Sequence, residues 1–447
     1  MTLRFGTDGV RGIANEELTV ELVTALGRAA VRVLGAEQAF VVGRDTRRSG
    51  PMLEAALVAG ICAEGADALL VGVIPTPGVA HIARDRAAPG AVISASHNPF
   101  ADNGVKLFTA GGRKISEPLE ARVEHELVDL ASSDPGPGPA GPGVGVASEY
   151  RGANDAYIAH LVDSLEGRRL DEMRVVLDCG NGASFRSAPT ALRELGAKVE
   201  VLNAAPNGTN INDACGSTYP EALQAAVLAA GADVGLAFDG DADRVIAVDE
   251  RGEIVDGDQM LAVGALDLHD RGLLRGDAVV ATVMSNLGLK RALEPYGIEL
   301  ICTPVGDRNV LEEMERRNLV LGGEQSGHVI NALQSTTGDG ALTGILLLDA
   351  MNRRHRSLSD LAAIMVAVPQ VLRSVEVGDT AGLNGDPIFW SRVRAIEQEL
   401  GDDGRVLVRL SGTEPVVRVM VESVDPDAAN DAADRLVELV EHASSRA

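Results

Sequence analysis

One order of elements occurs three times in this chain: strand, helix, strand ending near proline, helix, strand, polar loop. The first copy starts at the strand 40–43 and passes through a helix over 52–64 and a strand over 68–72 closed by Pro75-Thr-Pro77. It then enters an apolar strand over 90–93 that empties into Ser94-Ala-Ser-His-Asn-Pro99. The second starts at 174–178 and runs through a helix ending at Gly196, a strand over 198–202, Pro206, a helix over 221–230 and a strand over 234–238. It ends in Asp239-Gly-Asp-Ala-Asp-Arg244. The third starts at 278–284 and runs through a helix to Gly297, a strand over 299–303 with Pro304, a helix over 308–317 and a strand at 320–321. It ends in Gly322-Gly-Glu-Gln-Ser-Gly-His328. Alternating strands and helices predict layered α/β units, in which ligand groups gather at the carboxyl ends of strands. Three polar loops at equivalent strand ends predict one shared active site.

Composition shifts place the boundaries. The run from Ser132 to Gly143, rich in proline and glycine, holds neither helix nor central strand and reads as a flexible surface loop or linker. Residues 251–257 are turn-rich. After Pro369 the order changes to a strand over 371–375, a helix over 388–400, strands over 405–409 and 416–422, and an acidic amphipathic helix over 428–441. An amphipathic helix over 17–34 precedes the first copy. The expected fold class is α/β: three similar mixed-sheet α/β domains followed by a small α+β C-terminal domain, with the active site in a central cleft. The expected bounds are 1–149, 150–252, 253–368 and 369–447, and 447 residues suffice for them.

A formal net charge of −25 argues against nucleic-acid or anionic-membrane partners. An anionic substrate must then be captured by local Arg, Lys, metal or helix N-termini. Cys62, Cys179, Cys215 and Cys302 show no Cys-x-x-Cys pair and read as buried or idle thiols in a reducing compartment. No apolar signal region opens the chain, and no apolar run approaches the roughly 18 residues of a membrane span, so the expected location is cytoplasmic.

The loops supply the chemistry. Ser94 and Ser96 both offer nucleophilic oxygens, Pro99 stiffens the exit, and Asn103-Gly104 reads as a tight reversal that brings Lys106 back over the site. Three glycines around Arg11 suit a loop where backbone passes close to an anion. Asp239, Asp241 and Asp243 alternate with small residues, a spacing that lets a turning backbone converge hard oxygens on Mg²⁺. An EF-hand is rejected, because Arg244 stands where that loop needs glycine and strands flank it instead of helices. Three exposed aspartates in a solvated turn are the plain alternative. Glu324 and Ser326 suit sugar hydroxyls, and His328 a proton shuttle. Arg409, Ser411, Gly412, Thr413 and Arg418 have the parts of a phosphate cradle. This inventory is phosphoryl transfer on a sugar phosphate through a phosphoserine. A serine hydrolase would need a Gly-x-Ser-x-Gly elbow and no triple-aspartate loop.

In combination, the Thr-Asp-Gly-Val-Arg-Gly12 start, Ser-Ala-Ser-His-Asn-Pro99, Asp-Gly-Asp-Ala-Asp-Arg244, Gly-Glu-Gln-Ser-Gly-His328 and Arg-Leu-Ser-Gly-Thr-Glu-Pro415 resemble the α-D-phosphohexomutase family over nearly the whole chain. Gln325 and Met284-Ser-Asn-Leu-Gly288 resemble the branch acting on glucosamine phosphates; the alternative is the phosphomannomutase/phosphoglucomutase branch. A catalytically silent sugar-phosphate sensor would have no need of the nucleophile. The resemblance implies that Ser96, not Ser94, carries the phosphate. It also implies that Mg²⁺ is held by Asp239, Asp241, Asp243 and the phosphoserine oxygen of Ser96. Arg11, Lys106 and His328 would handle charge and protons, while His97 and Arg244 would lie against the phosphoserine. Glu324 and Ser326 would hold sugar hydroxyls, and Arg409, Ser411, Gly412, Thr413 and Arg418 the non-reacting phosphate. The implied reaction converts glucosamine 6-phosphate to glucosamine 1-phosphate, a precursor of UDP-N-acetylglucosamine and the cell wall, through a sugar 1,6-bisphosphate, with a mobile fourth domain closing over the ligand. Sugar phosphates are the expected partners, and a homodimer is left open. Two departures stand out: Ala242 replaces a glycine often seen between the second and third aspartates, and Leu410 fills a variable place.

Overall fold

The computed structural model describes residue 6 and residues 9–132, 138–377, 383, 385–410 and 416–444. Its strands form four sheets. The first comprises β1 (Val10–Ile13), β2 (Phe40–Arg44), β3 (Ala68–Val73), β4 (Gly90–Ile93), β5 (Asp102–Phe108) and β6 (Ala147–Glu149), in the order β1-β5-β4-β2-β3-β6. The second comprises β7 (Arg174–Asp178), β8 (Lys198–Leu202), β9 (Val234–Phe238), β10 (Val245–Asp249) and β11 (Ile254–Val255), in the order β11-β10-β9-β7-β8. The third comprises β12 (Ala278–Thr282), β13 (Glu299–Thr303), β14 (Leu321–Gly323) and β15 (Val329–Asn331), in the order β13-β12-β14-β15. The fourth is antiparallel, with β16 (Gln370–Glu376), β17 (Gly404–Leu410) and β18 (Val416–Ser423) in the order β16-β18-β17.

The first three sheets share one design: parallel strands, then a switch to an antiparallel neighbour. β2 pairs in parallel with β3 and β4, and β4 turns into antiparallel β5. β7 pairs in parallel with β8 and β9, and β9 turns into antiparallel β10. β12 pairs in parallel with β14, which turns into antiparallel β15. Each repeat therefore gains a strand beyond the polar loop. That loop becomes the hairpin connection at the carboxyl end of a parallel strand, where side chains from the sheet can converge.

Burial follows the strand pattern. Phe40 and Val42 of β2 face a core with Val23 and Leu26 of the helix Val20–Leu34 and Leu53 and Leu57 of the helix Gly50–Ala63. Val41, between them, faces a second core that continues through Val79, Tyr157 and Leu161 to Val175 and Leu177 of β7. Both faces of the first sheet are thus covered, as its unbroken apolar strands require. The helix expected from residue 17 starts at Val20, because the Thr19 side chain caps it by accepting from Leu22 N at 3.3 Å.

Residues 1–282 with 300–364 form one compact unit, and residues 283–299 with 365–447 a second. In the second, the buried Asn286 caps the helix Leu287–Leu293 and ties it to the fourth sheet. Its Nδ2 donates to Val368 O at 3.0 Å and to Glu422 Oε1 at 3.1 Å, and its Oδ1 accepts from Val368 N at 2.8 Å.

Two expectations need correction. Asn103-Gly104 is not a turn: both residues lie in β5, opposite Gly12 and Arg11 of β1. The reversal comes earlier, where Asn98 N donates to Ala95 O and Asp102 N to Pro99 O. Glycine is needed at 104 for close packing, since a Cβ there would stand 2.7 Å from both Ser94 O and Val10 O. The 132–143 run is bounded by structure, following the helix Glu117–Ser132 and holding a 3-10 turn at Gly141–Gly143; residues 133–137 lie outside the described residues. The cysteines are all free, with Cys179 and Cys215 buried, Cys62 half-buried and Cys302 exposed, in keeping with buried or idle thiols. No helix among the described residues is long and apolar enough to cross a membrane.

Candidate active site

Ser96 sits in the β4–β5 connection, fully buried, with φ at 52°. That left-handed conformation is strained for any residue but glycine, so the surroundings must enforce it. Ser96 N–H donates to Ser94 Oγ at 3.0 Å, and Ser94 Oγ donates to Asp45 Oδ2 at 2.7 Å. Ser96 C=O accepts from Arg47 Nη2 at 2.9 Å and from Asn212 Nδ2 at 2.8 Å. Arg47 also binds Asn98 O and Pro99 O, and pairs with Asp45 at 2.8 Å. The two serines are thereby separated: Ser94 Oγ is engaged with Asp45, while Ser96 Oγ donates to Asp239 Oδ2 at 2.5 Å.

Asp239, Asp241 and Asp243 are 1%, 1% and 2% exposed, which excludes the solvated acidic turn. One carboxylate oxygen from each lies within 4.8 Å of the others. Ala242 between them has φ at 55°, which explains why glycine would suit that position. Gly240 is pressed against the nucleophile loop, since a Cβ there would meet Ser96 O at 2.6 Å. Lys106, brought alongside by β5, donates to Asp241 Oδ2 at 2.8 Å and Asp243 Oδ2 at 3.0 Å. Asp241 Oδ1 and Asp243 Oδ1 are buried and make no hydrogen bond among the described residues. Burial, reinforced by the charges of Asp243 and Asp241, pushes the Asp239 carboxyl well above its ordinary range. Burial opposes the charge on Asp243 too, but Lys106, His328 and Arg244 together outweigh it and hold Asp243 well below that range. Three buried carboxylates, with Asp241 Oδ1 making no hydrogen bond and Asp243 Oδ1 facing only the longer ion pairs of His328 Nδ1 at 3.7 Å and Arg244 Nε at 3.8 Å, are a donor set suited to a small hard cation such as Mg²⁺.

His97 Nδ1 lies 3.3 Å from Ser96 Oγ and 3.3 Å from Arg244 Nη1. Burial, with the charges of Arg244 and Arg11, holds this imidazole below its ordinary value and keeps it neutral. Arg11 Nη1 reaches Asn98 Oδ1 at 3.5 Å, so it borders the same loop. His328, in the β14–β15 connection, places Nδ1 3.7 Å from Asp243 Oδ1 and Nε2 3.7 Å from Asp307 Oδ2, and Gly338 N–H donates to Nε2 at 3.2 Å. Burial opposes its charge, yet Asp243 and Asp307 outweigh burial and raise it. Glu324 accepts from Gly306 N at 3.0 Å, and Ser326 is exposed at the tip of its turn. The structure thus brings Ser96, His97, Lys106, the three aspartates, Arg244 and His328 together.

Arg409 and Arg418 belong to the second unit, where they stand opposite each other on β17 and β18, both exposed. Two like charges directly across a strand pair repel, an arrangement suited to an anion between them. Ser411, Gly412 and Thr413 lie outside the described residues. Sequence reasoning missed Asp45, Arg47, Thr76, Asn212 and Asp307. Asp45 and Arg47 lie between a strand and a helix, and the Ser94 hydroxyl and Ser96 carbonyl they bind are each 49 residues away.

Family models match the chain in order. Phosphoglucomutase/phosphomannomutase alpha/beta/alpha domain I covers residues 2–132, domain II 155–252, domain III 256–368, and the C-terminal domain 353–439. A phosphoglucosamine mutase of Moorella thermoacetica is 54% identical over 94% of this chain and 95% of its own length. One of Streptomyces griseus is 50% identical over 98% and 99%. A crystal structure of a phosphoglucomutase/phosphomannomutase family protein from Burkholderia thailandensis, 26% identical, superposes with a TM-score of 0.83 over 99% of this chain and 97% of that one. Half-sequence identity over nearly the full length, with all four models in order, leaves one conclusion: the chain belongs to the phosphoglucomutase/phosphomannomutase family, the α-D-phosphohexomutases.

Proposed function

We propose that this enzyme interconverts glucosamine 6-phosphate and glucosamine 1-phosphate through a phosphoserine at Ser96 and glucosamine 1,6-bisphosphate. The observation that carries the reading is Ser96 Oγ, buried and aimed at Asp239 in the three-aspartate cluster, while Ser94 is engaged elsewhere. The similarity to glucosamine-phosphate mutases at half identity supports the substrate.

In the first half-reaction the bond between phosphorus and Ser96 Oγ breaks as one forms to O1 of glucosamine 6-phosphate. Arg11, Lys106 and His328 are the groups assigned to the charge and the proton released from that hydroxyl. The bisphosphate turns end for end, and its O6–phosphorus bond breaks as Ser96 Oγ takes the phosphoryl group back and the proton held from the first half-reaction passes to O6. His97, beside Ser96 Oγ, and Arg244, which contacts His97, hold the phosphoserine between turnovers. Glu324 and Ser326 take sugar hydroxyls; Arg409 and Arg418, with Ser411, Gly412 and Thr413, take the phosphate that is not being transferred. Mg²⁺, held by Asp239, Asp241, Asp243 and the phosphoserine oxygen, supplies charge stabilisation to the transferring group when bound. We assign four domains at 1–149, 150–252, 253–368 and 369–447, and a place in supplying UDP-N-acetylglucosamine for the cell wall.

The test is a competition assay on enzyme primed with glucosamine 1,6-bisphosphate and Mg²⁺, offering glucosamine 6-phosphate against the 1-phosphates of glucose and mannose. The expected result is the highest kcat/KM for the glucosamine phosphate. A hexose preference would move the assignment to phosphomannomutase/phosphoglucomutase activity.

A further inference from the structure

Pro75-Thr76-Pro77 closes β3 and starts the helix Thr76–Asp85. Threonine near a helix start ordinarily serves as its cap, but the N-cap here is Pro75 and no side chain caps this helix. The Thr76 hydroxyl, fully buried, points elsewhere: it donates to Asp241 Oδ2 at 2.6 Å, and Thr76 N–H donates to Asp241 O at 2.9 Å. Prolines on both sides restrict the backbone that aims it. Asp241 Oδ2 also receives Lys106 Nζ at 2.8 Å, so it is saturated, whereas Asp241 Oδ1 is buried and makes no hydrogen bond among the described residues. A buried carboxylate held by two donors on one oxygen has a fixed orientation and one oxygen to offer.

We propose that Thr76 is a positioning residue for the divalent cation, holding Asp241 by Oδ2 so that Oδ1 is presented to the ion. The inference rests on the reading of the aspartate cluster as the Mg²⁺ site. Outer partners that orient a ligand typically change metal affinity about 10–100-fold when removed. Valine has the shape of threonine without the hydroxyl, and the backbone bond to Asp241 O survives the exchange.

The experiment is a titration of the full-length enzyme with Mn²⁺, following free ion by electron paramagnetic resonance with Mg²⁺ as competitor, on wild type, Thr76→Val, Thr76→Ser and Asp239→Asn. Thermal unfolding of each variant runs alongside. The expected result is Mn²⁺ affinity weakened about 10–100-fold in Thr76→Val and wild-type affinity in Thr76→Ser. Wild-type affinity in a folded Thr76→Val, with or without a lowered Tm, would overturn the proposal and leave Thr76 a structural role. Equal weakening in the valine and serine variants would overturn it as well, since the hydroxyl would not be the cause. Absence in the wild type of a saturable site that Asp239→Asn removes would overturn the metal reading and this inference with it.

Discussion

Arg47 is the residue on which the geometry of Ser96 most depends. Its guanidinium, with no exposed surface, spans Asp45 and the carbonyls of Ser96, Asn98 and Pro99, and it fixes the peptide that follows a serine in a left-handed conformation. Burial raises the Asp45 carboxyl, and Arg47 with the Ser94 hydroxyl opposes that rise. Removing the cation leaves a buried carboxylate uncompensated, while the three carbonyls keep only Asn212 Nδ2 or Asp102 N as donor. Arg47→Met is therefore expected to lose about 3–5 kcal/mol of stability, measured by urea unfolding. A loss below 1 kcal/mol would show that Asn212 and the hairpin hold the loop without it. Such contacts are not legible in a sequence. Residue types alone left Ser94 and Ser96 open and the family resemblance implied Ser96; the hydrogen bonds of Ser94 to Asp45 and of Ser96 to Asp239 add a structural difference between the two.

At the scale of elements, the helices Thr76–Asp85 and Ala153–Asp163 meet through a stacked pair, His81 and His160, with ring centroids 4.2 Å apart. Burial, followed by the neighbouring His81 and Arg84 charges and only partly offset by Asp85, lowers the His160 imidazole to about 4. His81 is lowered as well, by burial first and in spite of its Asp85 partner. An unfolded histidine titrates near 6.5, so between that pH and about 4 the unfolded chain binds a proton that the folded chain refuses. This contribution is full above pH 6.5 and declines as pH falls toward 4. Tm should drop across that window, and His160→Phe, which keeps a ring in the stack, should flatten the decline; an unchanged slope would contradict the assignment. The elements themselves were largely legible, because apolar periods of two and of 3.6 mark strands and helices locally. The antiparallel strand after each loop was not read as part of the repeat, since its pairing is set by the sheet. Asn103-Gly104 was misread because that dipeptide favours hairpin turns, while here glycine is required by the two carbonyls above it.

For the whole molecule, the acidic net charge of −25 and an anionic substrate are reconciled by local cations. Arg11, Lys106 and Arg244 stand around Ser96 and the aspartates in the first unit, and Arg409 faces Arg418 in the second. The proposed cradle came from residue types alone; the placement of Arg409 opposite Arg418 across β17 and β18 needed the sheet register. The proposed mechanism stands on Ser96 as the carrier of the phosphoryl group. The most direct measurement is intact and peptide mass of enzyme incubated with glucosamine 1,6-bisphosphate and Mg²⁺, on wild type and Ser96→Ala. One added phosphate mapping to Ser96 is expected in the wild type, and none in a folded, inactive Ser96→Ala. A phosphate that persists in Ser96→Ala, or turnover by that variant near the wild-type rate, would contradict it.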